Sequence, residues 1–240
     1  MTRIVVTEFV SLDGVMEDPK WTSQFDRGPE GDAFKYEELF AATALLLGRV
    51  TYQGFAQAWP SMGHDDFGRR MNEIPKYVVS GTLTGSDASW GQTTIIRSDA
   101  AAQAARLKDQ PGDGLLLVEG SCQLARTLIE HGLVDEYRLM VFGVILGHGK
   151  RLFPDQMSQP APLALTESRT AGDGVLLLTY HPATAYAPAA EPDNAGQAPP
   201  DRCRRSRRPA LGSCVARLSS VSEEGRIATQ LPINWLRVRP

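Results

Sequence analysis

Apolar residues along this chain recur with two periods, and the alternation between them predicts the fold. Residues 3–10 (Arg-Ile-Val-Val-Thr-Glu-Phe-Val) form a β-branched run closed by Ser11-Leu12-Asp13-Gly14, which reads as a first strand and a turn. Residues 15–31 are polar and carry Pro19, Gly28, Pro29 and Gly31, a long loop of the kind that often binds ligands. A helix is expected from about Asp32, its N-cap, to Thr43, with Phe34, Leu39 and Phe40 sharing a face. Residues 44–47 read as a short buried strand. Residues 51–59 read as a helix whose Tyr52, Phe55 and Trp59 recur at three and four, a core-facing stripe.

The pattern then repeats. A short helical turn over 65–72 precedes a strand over 76–80, and another strand over 93–96 ends at Arg97. Asp99 is positioned to cap a helix over 100–108. Residues 115–118 are the most apolar strand, and 122–131 place Leu124, Leu128 and Ile129 on one side of a helix closed by Gly132. After Gly132 the runs at 136–142, 143–146, 163–168 and 175–181 are all strand-like. The last two flank Ala171-Gly172-Asp173-Gly174 with hairpin spacing. Together these predict an α/β fold of three layers. Its central sheet is mixed but mostly parallel, is flanked by helices and ends in an antiparallel hairpin.

Composition divides the chain. Over its 240 residues the hydrophobic share is 42%, enough for one sizeable core. Residues 1–183 carry 16 basic and 23 acidic side chains, whereas 184–240 carry nine arginines, no lysine and five acids. The second segment is rich in Pro, Ala, Arg and Ser, so a mostly disordered tail is expected beyond a domain of residues 1–183. The acidic body argues against nucleic acid as a partner, and only the arginine-rich tail keeps that alternative open. Cys122, Cys203 and Cys214 form no CxxC pair and no metal-ligand spacing with the four histidines, so no metal is expected and a reduced, cytoplasmic setting fits. Cys122 lies in an apolar run and reads as a buried small residue. No apolar stretch approaches the ~20 residues that span a bilayer, so no membrane role is expected.

Candidate chemistry gathers where strands end. Three apolar runs finish in small polar turns: Gly48-Arg49-Val50-Thr51, Ser80-Gly81-Thr82 and Glu119-Gly120-Ser121. Phosphate is held where backbone N–H groups, a helix N-terminus and a guanidinium meet. Gly48 allows close approach, Arg49 supplies a fork suited to a phosphate monoester, and Thr51 adds a hydroxyl at a helix start. Ser80 and Thr82 offer hydroxyls, and Gly120 and Ser121 precede a helix. Each turn taken singly also reads as an ordinary loop, and neither GxGxxG nor GxxxxGK[ST] is present.

The ordered set Ser-Leu-Asp-Gly, Leu-Gly-Arg-Val-Thr-Tyr, Lys-Tyr-Val-Val-Ser, Val-Glu-Gly-Ser-x-x-Leu-Ala, Gly-Leu-Val-Asp-Glu-Tyr-Arg-Leu and Leu-Gly-x-Gly-Lys-Arg-Leu-Phe resembles the dihydrofolate-reductase-like superfamily. It is most similar to the branch holding the reductase half of the bifunctional riboflavin-biosynthesis deaminase/reductase, and the resemblance covers residues 1–182. It implies an NADPH-dependent reductase of a small heterocycle, pterin-like or aminopyrimidine-like. By that analogy Gly48, Arg49 and Thr51 hold the adenosine-side phosphates and Ser80 and Thr82 line adenine and ribose. Arg97 helps with the 2′-phosphate, and Gly120, Ser121 and Leu124 hold the pyrophosphate and nicotinamide ribose. Asp13 faces nicotinamide and substrate as the candidate acid or polar anchor; its local alternative is a turn aspartate satisfying nearby N–H groups. Trp21 and Phe25, in the long loop, are candidates for stacking on the heterocycle.

Glu37 and Glu38 are a second carboxylate option, read mainly as a solvated helix face. Glu119 stands where relatives often carry glycine, and a carboxylate beside a pyrophosphate repels it. Relatives in this branch commonly pair, so the resemblance also implies a homodimer. The zinc signature of a deaminase half, H-x-E with P-C-x-x-C, is missing, so deamination is not expected of this sequence. The alternative to catalysis is a nucleotide-binding or regulatory protein on the same fold.

Overall fold

The structure is a computed structural model that describes residues 1–153, 157 and 159–183; the predicted tail, 184–240, lies outside the described residues. Eight strands form one sheet: β1 (Arg3–Ser11), β2 (Ala44–Gly48), β3 (Lys76–Val79), β4 (Thr93–Ile96), β5 (Leu115–Glu119), β6 (Glu136–Phe142), β7 (Leu163–Ala171) and β8 (Val175–Pro182). Their order is β4-β3-β2-β5-β1-β6-β8-β7. Strands β1 to β6 pair in parallel, and β8 pairs antiparallel with both β6 and β7. The helices are α1 (Gly28–Ala41), α2 (Arg49–Ala58), α3 (Asp66–Glu73), α4 (Ala100–Lys108) and α5 (Cys122–Glu130). The mixed three-layer α/β architecture expected from the pattern is therefore present.

Strand alternation sorts the core. On β1, Ile4, Val6 and Val10 join α4 and α5 side chains on one face, while Val5 packs with α1, α2 and α3 on the other. Tyr52, Phe55 and Trp59 lie in that second cluster, as the helical stripe predicts. Asp99 caps α4, its carboxylate accepting from the Ala102 N–H at 3.0 Å. Among the described residues no helix is long and apolar enough to cross a membrane.

Two expectations need correction. The first helix starts at Gly28 rather than at an Asp32 cap. Pro29 sits in its first turn, where a missing N–H costs nothing, and Asp32 instead accepts from Arg27 Nε at 2.5 Å. Residues 143–146 form no strand. Their backbone turns back to the first loop, and the Leu12 N–H donates to the Val144 carbonyl at 2.8 Å.

Lys76 is a buried cation without a carboxylate partner among the described residues. It is 1% exposed, its Nζ donates to the Asn72 carbonyl at 2.7 Å, and it lies 4.2 Å from the Trp90 ring centroid. Burial, with Arg70 nearby, pushes its amine down to about 8 from 10.5. The unfolded chain therefore binds more protons across that window, and stability rises as pH climbs from 8 to 10.5. Lys76→Met, which removes the titrating amine, should lose that rise. Urea denaturation at pH 8 and pH 10 reads the effect; a variant that keeps the parent's rise contradicts it.

Candidate functional site

The sheet's connections diverge between β2 and β5, with α2 leaving on one face and α5 on the other, and clefts form where they do. Here the two helix starts are clasped together. The Gly48 N–H donates to Ser121 Oγ at 2.9 Å, and the Ser121 N–H donates to Thr51 Oγ1 at 2.9 Å. Gly120 and Ser121 both have φ of 61°, the left-handed region. A Cβ on Gly120 would stand 3.0 Å from Thr51 Cγ2, so glycine is needed for shape as well as for φ. Ser121 accepts the same conformation with a side chain, a local strain of the kind that clusters at functional sites.

Neither α2 nor α5 has a side-chain cap hydrogen bond. Two sets of first-turn N–H groups thus converge from opposite faces of the sheet without side-chain caps. That arrangement fits an anionic group such as a phosphate.

The other predicted ligands follow along the same rim. In the order β4-β3-β2-β5, Arg97, then Ser80 and Thr82, then Gly48, Arg49 and Thr51, then Gly120 and Ser121 succeed one another at the carboxyl ends of strands. Arg49 is exposed and donates to Gln53 Oε1 at 2.9 Å. Arg97 and Thr82 are exposed. Ser80 is buried, and its hydroxyl oxygen accepts from the Leu83 N–H at 2.9 Å and the Thr82 N–H at 3.2 Å, so it shapes its turn. The Leu124 side chain lies in the core, which leaves only its backbone for the rim.

Asp13, the candidate acid or polar anchor, sits in a hydrogen-bonded turn. Its carboxylate accepts from Ser11 Oγ at 2.6 Å and from the N–H groups of Leu146 at 3.1 Å and Gly147 at 2.8 Å. These hydrogen bonds, Ser11's foremost, hold its carboxyl down to about 2. Asp13 thereby ties the first turn to the 143–149 loop, as its reading as a polar anchor or turn aspartate expects. Trp21 and Phe25 meet the Phe142 ring edge-on, with centroids 5.5 and 5.4 Å away, in a cluster that includes Phe9 and Phe34. Both are only partly buried, so each keeps some face toward solvent at the ends of β1 and β6.

Sequence reasoning missed a buried polar cluster beside the clasp. Lys35 Nζ pairs with Glu38 and, at 2.9 Å, with Glu119, and Thr7 Oγ1 donates to Glu38 at 2.8 Å. All four side chains are buried. Glu119 therefore turns into the α1 face and away from the α5 N-terminus, which removes the repulsion expected of it. Glu38 is not on a solvated face; burial raises its carboxyl above the ordinary range against the pull of Lys35. Burial opposes the Lys35 charge too, but Glu119 and Glu38 outweigh it and hold the ammonium. Glu8, on the opposite face of β1, is 4% exposed, and its Oε1 has no hydrogen-bond partner among the described residues.

Residues 2–177 match the RibD C-terminal domain, and the chain belongs to that family. It is 30% identical over 187 residues to the uncharacterized protein YyaP of Bacillus subtilis (strain 168), covering 75% of this chain and 94% of that one. Among solved structures it resembles a proposed riboflavin biosynthesis protein from Shewanella sp. PV-4 (TM-score 0.58, 18% identity, 75% of this chain and 99% of that one). It also resembles the diaminohydroxyphosphoribosylaminopyrimidine deaminase/5-amino-6-(5-phosphoribosylamino)uracil reductase of Thermotoga maritima. There the TM-score is 0.52 at 15% identity, over 76% of this chain and 57% of that one. These two likenesses establish the fold, and the family match agrees with the branch that the sequence motifs resemble.

Proposed function

We propose that this chain is an NADPH-dependent reductase of a small heterocyclic substrate, pterin-like or aminopyrimidine-like. The observation that carries the reading is the clasp of two helix N-termini through Gly48, Thr51, Gly120 and Ser121. The pyrophosphate is assigned to their N–H groups, and Arg49 and Arg97 on the rim to the adenosine-side phosphates. The family and the reductase named for the Thermotoga maritima relative favour an aminopyrimidine over other rings. When bound, the reduced nicotinamide supplies the hydride. The chain's own part is to orient the ring at the end of β1 and to keep solvent away with the Trp21, Phe25 and Phe142 cluster.

Titration of the purified protein with NADPH, followed by nicotinamide fluorescence, tests the reading: saturable binding is expected, and none up to roughly 100 µM sinks it. Arg49→Ala should weaken NADPH about tenfold to a hundredfold while leaving NADH within about threefold, because a guanidinium fork on a 2′-phosphate is lost. Equal losses for both nucleotides contradict the role of Arg49. Binding without NADPH oxidation across dihydropteridine and aminouracil substrates points instead to a nucleotide-binding protein on this fold.

A further inference from the structure

Glu8 lies where the sheet opens. Strand β1 pairs with β5 only as far as Thr7 opposite Glu119, yet it continues along β6 to Ser11 opposite Phe142. From Glu8 onward, β1 has no β5 residue beside it, and Gly120 turns away into α5. The Gly120 N–H bonds to the Glu8 carboxyl, while Oε1 of that carboxyl is buried and has no partner among the described residues.

The groups around Glu8 decide its state. Glu119 on β5 and Glu38 on α1 repel a charge there, Lys35 on α1 attracts one, and Cys122 at the start of α5 lies nearby with its thiol pushed up by burial. Lys35 is already shared by two carboxylates. A third buried carboxylate with one oxygen bare would cost several kcal/mol, which favours the protonated form. Burial, with the two acids, raises its carboxyl well above the ordinary range. A proton on Oε1, which has no partner among the described residues, would make it a buried O–H donor beside the turn assigned to the pyrophosphate.

We propose that the Glu8 O–H is the hydrogen-bond donor that this opening presents to the carboxamide oxygen of the nicotinamide ring, which makes Glu8 a specificity-determining residue. The inference rests on the cofactor reading above. A carboxamide oxygen is the acceptor such a donor lacks, and the ring lies one ribose beyond the pyrophosphate. Glutamine at this position keeps both features, an oxygen for the Gly120 N–H and an N–H₂ donor. Leucine keeps neither.

The test compares NADPH with adenosine 2′,5′-bisphosphate, which has the phosphates and no nicotinamide, by calorimetric titration of wild type, Glu8→Gln and Glu8→Leu at pH 6.5. Glu8→Leu should lose about tenfold for NADPH and stay within about threefold for the bisphosphate. Glu8→Gln, which keeps a donor, should bind NADPH within about threefold of wild type. Should the leucine variant fail to fold, Glu8→Gln decides alone. A tenfold loss of NADPH in Glu8→Gln, or equal losses for both ligands in Glu8→Leu, overturns the role of Glu8 and leaves the cofactor reading standing. Failure of wild type to bind either ligand overturns both.

Discussion

Lys35→Met is expected to destabilise the fold by about 3–5 kcal/mol at pH 8, the cost of stranding buried charge when one partner of an ion pair is removed. Lys35 is 4% exposed, and its ammonium pairs with both Glu38 and Glu119. Without it, two carboxylates and the Thr7 hydroxyl share a dry space behind β1 and β5. The sign of the pH dependence follows. Carboxyls whose folded-state acidity is weakened bind protons that the unfolded chain has released, so the stability they confer is present at low pH and fades as pH rises. The Glu38 carboxyl is already raised in the intact cluster and must rise further in the variant. The deficit should therefore be smaller at pH 5 than at pH 8. Adding Glu38→Gln and Glu119→Gln to Lys35→Met should recover much of the loss, because the stranded charges go too. Denaturant unfolding at the two pH values measures all of this; a deficit below about 1 kcal/mol, or one independent of pH, contradicts the account.

Gly120→Val is expected to reduce NADPH affinity by about a hundredfold while the domain remains folded. The backbone at Gly120 has φ of 61°, where a β-branched residue costs about 1–2 kcal/mol. Its Cβ would also press on Thr51 at 3.0 Å. Thr51 can retreat only by releasing the Ser121 N–H, and that release separates the two helix starts. The loss should be far larger for binding than for stability, because the strain falls on the clasp and not on the core. Fluorescence titration alongside thermal unfolding separates the two. Near-parental affinity in a folded variant would remove Gly120 from the phosphate site.

The parts of the fold legible in sequence were those with local signatures. Residues 115–118 read as a strand because they are buried on both faces, and α4 is announced by Asp99 and by the small residues after it. The start of α1 was misplaced because the Arg27–Asp32 pair and Pro29 act together in three dimensions. The rim was legible because its requirements are backbone requirements, and glycine, serine and threonine after a strand record them.

The polar cluster was not legible, because a charged residue shows its burial only through parity. Glu119 follows Leu115 and Leu117 onto one face of β5, and Glu8 follows Ile4 and Val6 on β1. Lys35 and Glu38, three apart on α1, repeat the spacing of an exposed helical pair. What places them inside is the strand order β5-β1-β6, which lays α1 over Thr7 and Glu119, and no local pattern encodes it. Asp13 is the opposite case. Its partners Leu146 and Gly147 lie more than a hundred positions away, so the tie they make with it emerges only from the fold.

A crystal structure of the full chain grown with NADPH tests the central claim most directly. The account predicts the pyrophosphate against the first-turn N–H groups of α2 and α5, residues 49–51 and 122–123, the 2′-phosphate within reach of Arg49 or Arg97, and the nicotinamide beside Glu8 and Gly120. Density for the cofactor elsewhere, or an unaltered clasp with no nucleotide at saturating concentration, would contradict it.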